Sequence, residues 1–369
     1  MNLYLLKEKL YLFPKTLISL MTLLCFIGFV ILYDAAGGSF LPYSGKQMLY
    51  FFSFLPLMFF IGMINIKVLF YSSYYIYAIA LIFLIAVSLF GHTAMGATRW
   101  INLGILKFQP SELMKIGIVF ALAKYFHSVE YRNIGRLVYL IIPALLIGAP
   151  LIIILKQPDL GTAIVLSAVA ITILYLAGVR TAVFVTGALM VAGSLPILWR
   201  FLHDYQKKRL LVFLNPEQDT LGAGYNITQS KIAIGSGGFW GKGRLSGSQA
   251  QLEFLPEHQT DFVFSLFAEE LGFIGSVALL LIFAMVIIKG AKIGINCRNL
   301  FGKLLAFGVL SIFSTHVMIN IGMVTGLLPV VGIPLPFLSY GGTAMATMLI
   351  SFGLLINVAL NDRAYLPTN

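Results

Sequence analysis

The chain has 369 residues, of which 59% are hydrophobic and 11% charged, with a formal net charge of +11. A soluble domain carries about 25% charged residues, so this composition, with a mean hydropathy of +0.92, excludes a soluble globular protein. The basic excess does not point to nucleic acid, because no basic run is interleaved with stacking aromatics; in a membrane protein Lys and Arg collect in cytoplasmic loops.

A membrane span needs about 20 mostly apolar residues. Runs of that kind lie near 16–33, 46–64, 72–90, 111–127, 137–155, 160–178, 181–199, 262–288, 302–325 and 340–360. The expected fold is therefore all-α and polytopic, with about ten transmembrane helices. The first run follows Lys7, Lys9 and Lys15 but ends in no small-residue cleavage site, so it reads as a retained span. The sixth and seventh runs are separated only by Gly178, Val179 and Arg180. Cys25 and Cys297 make no metal or redox spacing, and neither a disulfide nor a structural zinc is expected.

Charge sets the expected orientation. With the N-terminus in the cytoplasm, the inner segments hold Lys7, Lys9, Lys15, Lys67, Lys124, Arg132, Arg136, Arg180, Lys289, Lys292, Arg298, Lys303 and Arg363. The short outer loops hold only Lys46, Arg99, Lys107 and Lys156. This bias places both termini in the cytoplasm and the long segment 201–261 outside.

In this orientation the fourth and sixth helices start at the outer face, where their unpaired N–H groups and positive dipole ends favour anions. Both starts carry an upstream lysine and a proline: Lys107-Phe108-Gln109-Pro110-Ser111-Glu112 and Lys156-Gln157-Pro158-Asp159. They read either as an outward anion site or as plain capping by Ser111 and Asp159. Glu112 and Lys115, three residues apart, share a helix face. They are either a mutually neutralising pair or a cavity-lining pair in which Lys115 meets an anionic substrate.

Segment 201–261 is expected to be a Gly-rich outer loop. Its run from Gly222 to Gly243 lacks P-loop spacing, and Lys231, Lys242 and Arg244 add positive charge to it. The segment closes on Asp261, the last charged residue before an apolar helix; Asp261 is either an N-cap or a carboxylate placed to act as general base. Glu257 and His258 are weaker helpers. Neither Glu269 nor Glu270, both deeper in the span, is assigned a catalytic role. Further on, the stretch 326–343 holds three prolines and a Gly pair and cannot be continuous helix. Irregular backbone at membrane depth survives only inside protein or along a cavity, so a re-entrant segment close to the site is expected.

Taken together, these motifs resemble the SEDS family (shape, elongation, division and sporulation), and its elongation members more than its division members. The resemblance rests on Thr98-Arg99-Trp100-Ile101 with Phe108-Gln109-Pro110-Ser111-Glu112-Leu113-Met114-Lys115; on Lys156-Gln157-Pro158-Asp159-Leu160-Gly161-Thr162; on the run from Gln229 to Gly238; on Leu255-Pro256-Glu257-His258-Gln259-Thr260-Asp261-Phe262; and on the run from Gly332 to Thr343. Arg244 and His258 depart from the residues usual at those places. The resemblance implies a single SEDS transmembrane domain over 1–369 in the bacterial cytoplasmic membrane. It also implies a peptidoglycan glycosyltransferase that polymerises lipid II at the outer face. Its partners would be a class B penicillin-binding protein and other elongation-complex membrane proteins. It marks Asp261 as catalytic, and Arg99, Trp100, Glu112, Lys115, Lys156 and Asp159 as substrate-binding; Lys231 is added to these from the charge of the Gly-rich stretch, which reads either as direct substrate contact or as a re-entrant loop packed at the interface. No cofactor motif is present; a divalent cation, Mg²⁺ or Mn²⁺, could share the leaving-group charge, but no motif fixes its ligands. A lipid II flippase and a non-catalytic scaffold are the competing readings. The crowding of ionisable residues toward the outer third favours chemistry at that face over transport, which needs them at mid-membrane.

Overall fold

In lipid a backbone N–H or C=O finds no water, so an apolar run of span length closes its hydrogen bonds internally as a helix. The computed structural model describes residues 13–90, 92–94, 97–102, 107–201, 204–215, 219, 222–247 and 257–367. Lys7 and Lys9 of the basic N-terminus lie outside these residues, as do Leu255 and Pro256. Each expected run is helical: α1 Lys15–Ala35, α2 Ser44–Met63, α3 Ile66–Phe90, α4 Pro110–Ser128, α5 Ile141–Lys156, α6 Leu160–Ala177, α7 Thr181–Phe201, then, after two shorter helices, α10 Val263–Asn296, α11 Leu300–Val324 and α12 Gly342–Leu360. Gly178 in the left-handed conformation, φ 102°, caps α6 and separates it from α7.

Eight helices are long and apolar enough to cross a membrane by length and composition. The other two of the ten are α4 and α7. α7 is apolar over Thr181–Ser194. α4 carries Glu112, Lys115, Lys124 and His127, yet it is buried along nearly its whole length against α3, α6 and α11. Protein rather than lipid surrounds its polar groups, which is how ionisable residues persist within a span. α11 and α12 are also largely enclosed, so α4, α11 and α12 form the centre of the bundle.

The connector between α3 and α4 departs from the all-helical plan. It forms a three-stranded antiparallel sheet of β1 His92–Ala94, β2 Ala97–Asn102 and β3 Lys107–Phe108, with His92 opposite Trp100 and Ile101 opposite Phe108. The connector is too short for a pair of helices, and strand pairing is the remaining way to satisfy its backbone groups.

Segment 201–261, expected as a loop, contains α8 Asp204–Leu214 and α9 Ala223–Ser236. The glycines bracket α9 rather than break it: ten residues without Gly or Pro separate Gly224 from Gly235. Tight turns follow beyond Gly237, where Gly238, Gly241 and Gly243 all have positive φ.

That stretch explains an interruption in α10. Gly272 has φ 65° and ψ −161° in the middle of the helix. The backbone groups freed by the break are taken up by the loop: Lys242 N donates to Glu269 O at 3.0 Å and Gly243 N to Glu270 O at 3.0 Å, while Phe273 N donates to Gly238 O at 2.9 Å. A Cβ on Gly272 would collide with Gly241 N, so only glycine permits this exchange.

Successive spans run in opposite directions, which brings the motif-bearing helix ends together. At one end Gln47 Nε2 donates to Ser339 O at 2.9 Å, His258 Nε2 lies 3.0 Å from Ala35 O, and Gln109 Nε2 reaches Asp159 Oδ2 at 3.5 Å. At the other end Arg298 N donates to Asp362 O at 2.9 Å and Asn357 Nδ2 to Ile64 O at 2.6 Å.

Candidate active site

The segment between α11 and α12 is irregular, as its prolines require, and Val331, Ile333, Leu335, Phe337 and Leu338 are buried in it. Buried backbone of this kind needs partners for its polar groups, and side chains from distant helices supply them. Arg209 of α8 donates to Val330 O at 2.9 Å, and Asn320 of α11 to Ile333 O at 2.7 Å. Gln47 of α2 takes both Ser339 O, at 2.9 Å, and Gly341 N, at 3.1 Å. Ser339 Oγ accepts from Leu335 N at 2.8 Å and donates to Thr260 O at 2.5 Å. The last bond joins this segment to the one that carries Asp261, as does Tyr340 N to Gln259 O at 2.9 Å.

Asp261 lies in a turn over 257–262, not at a helix cap: α10 begins at Val263 with Phe262 as N-cap and no side-chain cap bond. The turn winds around one acceptor. Thr260 N and Asp261 N both donate to Glu257 O at 3.1 Å, with Glu257 in the left-handed region at φ 57°. The Glu257 carboxylate accepts from Thr260 Oγ1 at 3.0 Å, so this side chain braces the turn. Asp261 is half-buried, and its carbonyl accepts from Asn320 Nδ2 at 2.9 Å. Its carboxylate faces Gly332, where a Cβ would stand 3.2 Å from Oδ2.

Beneath this surface lies a buried charged group. Lys115 Nζ lies 2.7 Å from Glu112 Oε1 and 2.8 Å from His316 Nε2, and the three residues are at most 6% exposed. His316 comes from α11, one turn before Asn320. Lys115 is therefore enclosed between its partners, the arrangement of a mutually neutralising pair with a third member. Ser111, considered as a cap, lies inside the first turn of α4 with its hydroxyl buried and unbonded among the described residues; Gln109 is the N-cap and Pro110 takes the first helical position. Asp159 does cap α6, accepting from Thr162 N at 3.2 Å and Thr162 Oγ1 at 2.9 Å. Pro158 accordingly precedes the cap instead of occupying the first turn. The bond from Gln109 to Asp159 sets the two helix starts side by side.

The remaining residues marked by the sequence lie around this end. Arg99 and Trp100 belong to β2, with Trp100 half-buried; the side chains of Arg99 and Lys107 are outside the described set. Lys156 is exposed at the end of α5. Lys231 on α9 lies over the start of the irregular segment, where its side chain occupies the space a Cβ on Gly326 would need. Glu269 and Glu270 are both buried and serve the loop that breaks α10: Lys242 Nζ is 2.7 Å from Glu269 Oε1, and Leu245 N donates to Glu270 Oε1 at 3.1 Å. Arg244 makes a two-pronged bond to Asp34 of α1, 2.9 Å at each contact, and this carboxylate holds the guanidinium above its ordinary pKa. Among the described residues no three His, Cys, Asp or Glu side chains gather to hold a cation.

His316, Asn320, Gln47, Ser339 and Asp34 escape a reading of the sequence. Each has a partner far away in the chain. The available signal was the presence of a polar side chain at a costly depth.

The comparisons with known proteins agree with this architecture. The model of the FtsW, RodA and SpoVE family, described as a cell cycle protein, matches residues 14–364, and the chain belongs to this family. It is 45% identical over 290 residues to the peptidoglycan glycosyltransferase MrdB of Escherichia coli K12, covering 77% of this chain and 76% of that one. It is 41% identical over 275 residues to stage V sporulation protein E of Bacillus subtilis, covering 74% of each. Among solved structures it is similar to a chain from a peptidoglycan synthase complex that coordinates polymerization and crosslinking, with a TM-score of 0.85 and 30% identity over 96% of this chain and 99% of that one. The rod shape determining protein RodA of Thermus thermophilus matches with a TM-score of 0.73 and 27% identity, over 96% of this chain and 98% of that one.

Proposed function

We propose that the protein is a peptidoglycan glycosyltransferase whose centre is the Asp261 turn. The observation that carries this reading is the seat of Asp261: a half-buried carboxylate held against the buried, irregular segment at Gly332, at the end of the bundle where the charged helix starts converge. Family membership and the activity named for its relatives support it. The chain acts as a single transmembrane domain, 1–369, with 201–261 as its large extracytoplasmic segment, in the bacterial cytoplasmic membrane with both termini in the cytoplasm.

The reaction joins the 4-hydroxyl of a GlcNAc on one lipid II to C1 of a MurNAc at another chain end. The new C1–O bond forms as the bond from C1 to the polyprenyl pyrophosphate breaks, with inversion at C1. Asp261 takes the proton of the attacking hydroxyl. The pyrophosphate gathers negative charge as it leaves, and Arg99, Lys156, Lys231 and the paired starts of α4 and α6 stabilise it. Trp100 and Asp159 shape this wall. Glu112 and His316 enclose Lys115, so this group supports the wall from within rather than meeting the leaving group directly. The partner is a class B penicillin-binding protein, which cross-links the strands made here.

Removing a general base lowers a rate by about 10² to 10⁴-fold. Purified Asp261→Asn protein is expected to fold and insert normally but to lose polymerisation of labelled lipid II by that factor, measured in single turnover with and without the partner. Polymerisation at the wild-type rate would remove Asp261 from the base role.

A further inference from the structure

Asn320 is fully buried in α11, one turn beyond His316. Its Nδ2 donates to two carbonyls, Asp261 O at 2.9 Å and Ile333 O at 2.7 Å. Both neighbours are acceptors only, so the amide orientation is dictated: the NH₂ group must face them. The two carbonyls belong to different segments of the site. One is in the turn that carries the carboxylate; the other is in the irregular segment, one residue past Gly332.

The mechanism does not use Asn320, and no other residue type does what it does here. A primary amide on a short stem offers two N–H donors in one plane. Serine offers one, aspartate would set a third acceptor against two carbonyls, and leucine has similar bulk with no donor. Asp261 N is already spent on Glu257 O, so the carbonyl bond is a separate restraint on the same residue. From the other side the carboxylate meets Gly332, whose φ of 73° suits glycine and whose missing Cβ leaves the space beside Oδ2. The anchor faces the interior of the bundle: Asn320 and His316 are both buried, and His316 meets Lys115 one turn earlier.

We propose that Asn320 is a positioning residue for glycosyl transfer: it ties the Asp261 turn to the segment around Gly332 and so sets where the carboxylate stands. The proposal rests on the reading of Asp261 as general base. Asn320 touches neither substrate; it acts through Asp261. A displacement of about 1 Å at a reacting group lowers rates by about 10²-fold, and that is the size of effect expected of losing the clamp.

The test compares Asn320→Leu, Asn320→Ser, Gly332→Ala and Asp261→Asn, each purified with its partner, for kcat and KM with labelled lipid II and for Tm. Asn320→Leu should lower kcat by about 10- to 100-fold, with KM close to the wild-type value. Asn320→Ser, which keeps one of the two bonds, should fall between. Gly332→Ala should lower kcat while Asn320 is intact, because the new methyl group presses on the carboxylate. A normal kcat for Asn320→Leu overturns the proposal. A rise in KM that accounts for the whole loss also overturns it, since that marks a substrate contact. Equal rates for Leu and Ser, alongside equally lowered Tm, would mark a merely structural role. If Asn320→Leu does not fold, the Ser variant decides, and a full kcat there overturns the proposal. Asp261→Asn separates the two readings: if it polymerises normally, the base assignment fails by itself; if it is inactive while the Asn320 variants turn over normally, only the clamp fails.

Discussion

Lys115 shows how much a single residue depends on its neighbours at this depth. It is 1% exposed and bonded to Glu112 and His316. Removing one partner of a buried ion pair leaves an uncompensated charge and costs about 3–5 kcal/mol, whereas replacing both by apolar or neutral groups is often neutral. Lys115→Met should therefore lower Tm sharply, and adding Glu112→Gln to it should restore much of the loss. Thermal unfolding of the two single variants and the double in detergent checks this, and a double variant no more stable than Lys115→Met would show that the carboxylate is satisfied some other way. The Glu112–Lys115 pair was legible in the sequence because its members are three residues apart on one helix. His316 was not, because it lies 201 residues from Lys115 and a lone histidine in an apolar run does not name its partner.

At the scale of elements, what was legible follows from how each signal arises. The spans are set by long apolar runs that must close their own hydrogen bonds, so all ten runs reappear as helices. The small sheet was missed because β2, its longest strand, has only six residues and no strong alternation. α9 was missed because glycines at its ends were read as glycines throughout. The break in α10 was invisible because Gly272 inside an apolar run looks like any other small residue of a span. Its function in the fold is specific: it opens the helix so that the 238–243 backbone can enter, and Lys242 and Arg244 then reach Glu269 and Asp34. An L residue forced into that backbone region carries strain of about 1–3 kcal/mol, and a Cβ at 272 would also strike Gly241 N. Gly272→Ala should thus release the loop before it unfolds the bundle. Limited trypsin digestion should cut at Lys242 and Arg244 faster than in the parent, and unchanged cleavage together with unchanged Tm would show that the loop does not depend on the break.

Across the whole molecule, the site is assembled by parity. Because successive spans alternate in direction, the ends near residues 35, 44, 110, 160, 263, 324 and 342 share one side, and the bonds linking Asp34 to Arg244, Gln47 to Ser339, and Gln109 to Asp159 join them there. The opposite side carries the inner basic residues. The bonds establish that there are two sides; the charge bias argues which of them faces the cytoplasm. The prediction is that the Asp261 side faces outward. Both native cysteines are buried, so a membrane-impermeant thiol reagent should see little background in intact cells. Ser246→Cys, at an exposed position on the Asp261 side, should label from outside. Glu130→Cys and Asn296→Cys, exposed on the opposite side, should label only after the membrane is opened. The reverse pattern would place the carboxylate in the cytoplasm and would remove the outward-facing polymerase even if Asp261 proved essential. Labelling of all three positions in sealed cells would instead break the alternation on which the assembly of the site depends.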